Sequence, residues 1–203
     1  MCPTVHVGCT GWRKQRRVEE HVFPRQEGKE VENKMKPTTI PMTNALRALN
    51  AAKVDYVAKC YDYTEHGGTI QASQCLSIDH HATIKTLILE DESKKPFVCL
   101  MHGDAEISLK NLARARGCKT VSMCEPATAD RHSGYHVGGT SPFGTKKRMT
   151  VYVERSIYGL PKVYINAGHR GILVEMVPGG IDKALEGLTV PVDVAIDNRS
   201  SGR

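Results

Sequence analysis

Apolar and polar positions alternate regularly only from Met42 onward, and from there the pattern predicts helices interleaved with strands. Leu46, Leu49 and Val54 fall on one helical face behind Thr43, whose hydroxyl suits the N-cap of a helix over 44–53. Residues 55–61 alternate as a strand does. Gly67-Gly68 then precede Thr69, which the pattern assigns as the cap of a short helix over 70–76. Two β-branched and apolar runs, 84–89 and 97–102, flank a polar, proline-containing turn at 90–96. Ser108 caps a predicted helix over 109–116, and Gly117 stands where a left-handed residue ends such a helix. A short strand near 119–122 and a helix near 126–131 follow. Beyond a glycine-rich loop the runs 149–154, 163–166 and 172–177 predict strands, 181–185 a helix and 190–196 a last strand. Helices interspersed among about seven strands give a mixed α+β domain over 42–197, with 198–203 a flexible tail.

Residues 1–41 depart from this order. They lack helical or strand periodicity and are expected to be a disordered leader. They hold the only tryptophan, Trp12, and the cluster Arg13-Lys14-Gln15-Arg16-Arg17, which also suits a basic nucleic-acid-binding arm. A third reading makes 1–34 translated upstream sequence with the native start at Met35. Lys29-Glu30-Val31 can be encoded AAG-GAG-GTG, which contains a bacterial ribosome-binding sequence a short spacer before that methionine.

Composition narrows the class. The 203 residues suffice for one domain of ordinary size, and no apolar run approaches the length of a membrane helix, roughly 18–20 residues. The formal net charge of +6 is compatible with a polyanionic partner without requiring one. Seven cysteines, an odd number with no C-x-x-C pair, fit neither a disulfide framework nor a zinc ribbon and are expected to be reduced thiols in the cytoplasm.

Most chemical signals fail on spacing. Gly139-Thr140-Ser141-Pro142-Phe143-Gly144 begins like a P-loop, but Thr145-Lys146 reverses the required order and Pro142 lacks a backbone donor. Ser141 is not a nucleophile elbow, because Phe143 stands where glycine is required. Adjacent His80-His81 cannot copy the i, i+4 histidines of a zinc-binding helix, and no other His/Cys grouping has suitable ligand spacing, so no metal site is expected. What remains is the loop 134–144, in which four glycines and a proline can turn backbone amides toward a carbonyl or phosphate oxygen, or form only a tight turn. Gly168 and Gly171 bracket His169-Arg170 as a hairpin turn between strands. Lys85 stands inside the apolar run 82–89. It either points to solvent or sends a cation into a pocket, where it would bind an anion or polarise an ester.

Three segments in order, Ile84-Lys85-Thr86-Leu87, Gly138 to Gly144 followed by Lys146-Lys147-Arg148, and Ile165-Asn166-Ala167-Gly168-His169-Arg170-Gly171, resemble the signatures of the YbaK family. His102-Gly103-Asp104 before the helix at 109–116 is a lesser match. The family is related to the editing domain inserted in bacterial prolyl-tRNA synthetases, and its YbaK/EbsC branch comprises Cys-tRNA(Pro) deacylases. The resemblance implies a mixed, curved, barrel-like sheet with surrounding helices. It implies a trans-editing enzyme that hydrolyses the ester of mischarged Cys-tRNA(Pro), or Cys-tRNA(Cys), without metal or cofactor. The family's critical lysine carries over to Lys85. Tyr61, Thr86, Gly138, Gly139, Thr140, Ser141, Pro142, Gly144, Gly168 and Gly171 carry over as substrate-binding positions, and Lys146, Lys147 and Arg148 as residues near tRNA phosphates. The implied mechanism is substrate-assisted: the cysteinyl thiol attacks its own ester and a thiolactone leaves. Prolyl-tRNA synthetase is an implied partner. Ile172-Leu173 depart from the polar or acidic residue that some members carry there, which points to a more apolar pocket wall. A noncatalytic module that binds aminoacyl-tRNA, and a deacylase for another small aminoacyl group such as alanine, stay open as alternatives.

Overall fold

The computed structural model describes residues 40–196. Residues 1–39 of the leader, with the basic cluster and the start at Met35, and the tail at 198–203 lie outside the described residues, whereas Ile40, also expected in the leader, is partly buried against the core.

The N-terminal helix α1, Asn44–Ala51, forms as its pattern predicts: the Thr43 hydroxyl accepts from the Leu46 amide at 3.1 Å, and Ala45, Leu46 and Leu49 are buried. It stops short of residue 53 because Lys53 takes a left-handed φ of 52°, turning Val54 back under the helix. Strand β1, Val57–Cys60, follows. Helix α2, Gly68–Leu76, starts one residue before the predicted cap. Gly67 occupies the cap position without a side-chain bond, and the Thr69 hydroxyl instead lies 3.0 Å from Nε2 of His80.

Two strands make the centre, β2 at Thr83–Asp91 and β3 at Pro96–His102, antiparallel across a turn in which the Asp91 carboxylate accepts from the Ser93 and Lys95 amides. The short strand β4, Glu106–Ile107, leads into α3, Leu109–Arg116, capped by Ser108 and ended by Gly117 at φ 73° as predicted. Then come β5, Val121–Met123, α4, Pro126–Ser133, β6, Val151–Glu154, and a 3-10 turn, Arg155–Gly159. The chain continues through β7, Val163–Asn166, β8, Ile172–Met176, α5, Gly179–Leu185, β9, Thr189–Val192, and β10, Ala195–Ile196.

Eight strands form one mixed sheet along an open path, β1-β8-β7-β2-β3-β6-β9, with β5 also on β2, while β10 and β4 pair separately. The about seven strands expected become ten among the described residues, in part because the single strand predicted at 190–196 divides. The buried Glu154 carboxylate accepts from the amides of Val194 and Ala195, taking the place of a neighbouring strand and turning β10 away from β9. Strand alternation separates the core. Ile84, Ile88, Val98, Leu100 and Ile165 pack with α1 and α5, and Leu89, Phe97, Cys99, Met101 and Tyr152 pack with α3. Beneath α2, Ala72 packs with Ala82, Tyr164 and Leu173.

The pairing of β2 is interrupted, and this positions the site. On the edge away from β3, β7 meets it only at Thr83 and Ile84, and β5 only from Leu89 to Asp91. Among the described residues no strand lies beside Lys85, Thr86 and Leu87 on that edge.

Candidate active site

A cleft of about 680 Å³ opens at this interruption. Its walls come from β2, the start of α2, the glycine-rich loop and the β7–β8 hairpin, with α4 closing one side. Because the cleft meets β2 at a free edge, it reaches side chains of both faces: Thr86 shares a face with Ile84 and Ile88, and Lys85 shares the other with Leu87 and Leu89. The Thr86 hydroxyl oxygen is buried and has no hydrogen-bond partner among the described residues.

Lys85 neither points freely to solvent nor hangs loose in the cleft. It lines the cleft, and its ammonium donates to the carbonyl of Ala105 at 2.7 Å, in the turn between β3 and β4. Burial pushes its pKa below the ordinary lysine value, and the nearby carboxylates of Asp104 and Glu106 partly offset this. The amine is therefore a desolvated cation with a short tether, suited to polarise a carbonyl oxygen or to hold a phosphate.

The glycine-rich loop is closed on itself by Tyr135, whose hydroxyl donates to the carbonyls of Phe143 at 2.6 Å and Gly144 at 3.2 Å. Burial raises that phenol to about 12, so it stays a donor. Phe143 anchors the loop in the core with no exposed surface. Gly138, at φ 88°, comes so close to Tyr63 that a Cβ would stand 2.7 Å from its hydroxyl oxygen. Asn166 joins loop to hairpin: its Nδ2 donates to the Gly138 carbonyl at 3.0 Å, and its Oδ1 accepts from the Gly168 amide at 3.0 Å. Arg170 makes a second clasp, donating from Nε to the Val137 carbonyl at 2.9 Å while its guanidinium lies over the Tyr63 ring at 5.2 Å.

Of the positions singled out in the sequence, Tyr61, Lys85, Thr86, Gly138 and Thr140 line the cleft. Burial, followed by Tyr63, raises the Tyr61 phenol above its ordinary value. The others lie off the lining. Ser141 is fully buried and Pro142 is buried beside it. Gly139 lies against the Arg170 amide, Gly144 against the Asn44 carbonyl, Gly168 against the Tyr135 ring and Gly171 against the Tyr61 carbonyl. Lys146, Lys147 and Arg148 are exposed. The Lys146 and Lys147 amides bond the end of α4, whose Pro126 and Ala129 reach the cleft. Leu173 of the departing pair lines the wall, and Ile172 is buried in the core.

Tyr63, Asn166 and Arg170 also line the cleft and were not singled out. Asn166 and Arg170 stand inside the third quoted motif and so had a signal in the sequence, whereas Tyr63 lies beyond the strand predicted at 55–61.

Residues 64–184 match the family model of the aminoacyl-tRNA editing domain. The chain belongs to the YbaK-type aminoacyl-tRNA editing family. It is 31% identical over 147 residues to an Enterococcus faecalis protein, EbsC, named as a candidate Cys-tRNA(Pro)/Cys-tRNA(Cys) deacylase, covering 72% of this chain and 90% of that one. It is 24% identical over 105 residues to the proline–tRNA ligase of Limosilactobacillus fermentum, covering 50% of this chain and 18% of the ligase. The crystal structure of a candidate trans-editing enzyme for prolyl-tRNA synthetase has the same fold, with a TM-score of 0.66 at 17% identity over 76% of this chain and 96% of that one. Within the editing family's matched span fall Lys85, the glycine-rich loop and the β7–β8 hairpin, whereas Tyr61 and Tyr63 of the cleft precede it.

Proposed function

We propose that the protein is a cytoplasmic trans-editing deacylase that clears cysteine from mischarged tRNA(Pro), by a substrate-assisted route in which no enzyme nucleophile takes part. The observation that carries this reading is the convergence of Lys85 and the glycine-rich loop on one cleft whose thiol is inert. Cys124 lines that cleft, but burial, with the Glu90 carboxylate, pushes its thiol to about 11, so it holds almost no thiolate at neutral pH.

In this reading the aminoacyl ester enters at the open edge of β2. Lys85 and loop amides polarise the ester carbonyl, and confinement in the cleft brings the substrate's thiolate onto the carbonyl carbon. A sulfur–carbon bond forms, the carbon–oxygen bond to the ribose breaks, and the departing ribose oxygen takes a proton. The products are a thiolactone and free tRNA. Lys146, Lys147 and Arg148 lie near acceptor-stem phosphates, and prolyl-tRNA synthetase supplies the discrimination among tRNAs. Leu173 makes the wall apolar, which favours a small, weakly polar aminoacyl group.

Thr69 favours a second reading of the same hydrolysis. It lines the cleft with its hydroxyl 3.0 Å from His80 Nε2, the spacing of a nucleophile and its base.

The test is hydrolysis of Cys-, Ala- and Pro-tRNA(Pro), with the released product identified. Thiolactone from Cys-tRNA(Pro), proline spared and full activity in Thr69→Val support the substrate-assisted route. Free cysteine as first product, with activity lost in Thr69→Val, supports the threonine route. No hydrolysis above the spontaneous rate leaves the noncatalytic binding module.

A further inference from the structure

A chain of polar side chains lies behind the turn that holds Lys85. His102, at the end of β3, is only 1% exposed. Its Nδ1 lies 2.8 Å from the His81 carbonyl oxygen and its Nε2 lies 2.8 Å from Oγ of Ser156. Oγ of Ser156 in turn lies 3.2 Å from Oε1 of Glu154, and Oε2 of that carboxylate accepts from the Val194 and Ala195 amides at 2.8 Å each. Ala195 and Ile196 pair with Glu106 and Ile107. The turn 103–105 is thus tied at its start by His102 and at its end by β4, and Ser156 joins the two ties. His81 stacks on His102 with ring centroids 3.7 Å apart and reaches Asp104 at 2.9 Å. His80 closes the remaining side: a Cβ on Gly103 would stand 2.6 Å from the His80 carbonyl oxygen.

The proton count makes this chain more than packing. The His81 carbonyl can only accept, so Nδ1 of His102 carries a proton. With the imidazole neutral, the single Ser156 hydrogen must serve two contacts, one to Nε2 of His102 and one to Oε1 of Glu154. One further proton satisfies both. Burial pushes the His102 pKa below its ordinary value, against the His81 carbonyl, which raises it. The titratable groups facing His102 are His81, Asp104 and Glu154, with His80 across Gly103.

We propose that His102 and Ser156 are positioning residues for Lys85, setting the turn whose Ala105 carbonyl takes its ammonium. The effect on catalysis rests on the deacylase reading above; the effect on the Lys85 amine does not.

The test therefore reads that amine directly, by NMR titration of the Lys85 Cε resonance in the full chain, assigned by its loss in Lys85→Met. Ser156 is exposed, so Ser156→Ala folds, and thermal unfolding checks this. Ser156→Ala should let the turn relax and move the Lys85 titration toward the ordinary lysine range, because burial is the main depressant; Ser156→Thr should retain the wild-type titration. Single-turnover deacylation of Cys-tRNA(Pro) should fall about three- to tenfold in Ser156→Ala, the worth of one hydrogen bond. It should fall no further when Lys85→Met is already present. An unchanged Lys85 titration in folded Ser156→Ala, or an equal loss of rate in both backgrounds, overturns the proposal. If the wild type deacylates nothing, the deacylase reading fails, and the amine titration alone supports or overturns the positioning role.

Discussion

Two neighbouring strands of similar composition have opposite fates. Every residue of β3 is buried, and it has β2 along one edge and β6 along the other. In β2 the same apolar pattern is broken by Lys85 and Thr86, and among the described residues no strand lies along the edge beside them. The comparison teaches where an active site arises in a mixed sheet. A continuous ladder consumes its backbone groups and its side chains in structure, whereas an interrupted one leaves both available to a ligand. Function should therefore be sensitive to changes at Lys85 and Thr86 that the fold ignores, and stability to changes in β3 that chemistry ignores.

The largest effect is expected at Lys85. Lys85→Ala should slow single-turnover deacylation by about a hundredfold or more, the usual cost of a group that stabilises developing charge, while leaving the unfolding midpoint in denaturant near wild type. Leu100→Ala in β3 is the mirror image. This side chain has no exposed surface, so its truncation should cost about 2–5 kcal/mol in denaturant unfolding. The rate per folded molecule should be unchanged, and a loss of turnover without destabilisation would erase the contrast between the strands.

Gly138→Ala lies between these extremes. Its positive φ and the Tyr63 hydroxyl both oppose a Cβ. Stability should drop by about 1–3 kcal/mol and deacylation by about tenfold as the loop shifts from the cleft. Replacing Lys146, Lys147 and Arg148 together with alanine should raise KM with kcat little changed. It should also make the dependence of log affinity on log salt shallower by about two to three. The pH profile should show the smallest change. The lowered Lys85 pKa places loss of the ammonium below the ordinary lysine range, so the rate falls as pH rises through it. Ionisation of the substrate thiol raises the rate at lower pH, giving a bell whose alkaline arm disappears in Lys85→Arg.

Much of this arrangement was legible in the sequence because it depends on local chemistry. Thr43, Ser108 and Gly117 mark helix ends through bonds within one turn, and Gly168 with Gly171 marks a hairpin through its own backbone. The motifs around Lys85, the glycine-rich loop and the hairpin follow one another in the chain, and β2, the loop and the β7–β8 hairpin bring them to one cleft. What the pattern could not reveal depends on distant partners. Thr69 looked like a cap, but its hydroxyl turns to His80, eleven positions on. The last strand divides because Glu154, forty residues away, accepts from its amides. The gap beside Lys85 is set by where β7 and β5 stop pairing, and no property of residues 84–89 encodes that. Ser141, prominent in its motif, lies in the core, since the side chain that anchors its loop is Phe143.

The most direct test of the central claim, that the open edge of β2 is an ester-cleaving site built on Lys85, is single-turnover deacylation of Cys-tRNA(Pro) by wild type and Lys85→Ala at saturating protein. The account predicts rapid loss of cysteine with the wild type and a rate near the spontaneous one with the variant, while both bind the tRNA. Equal rates for the two proteins would contradict it.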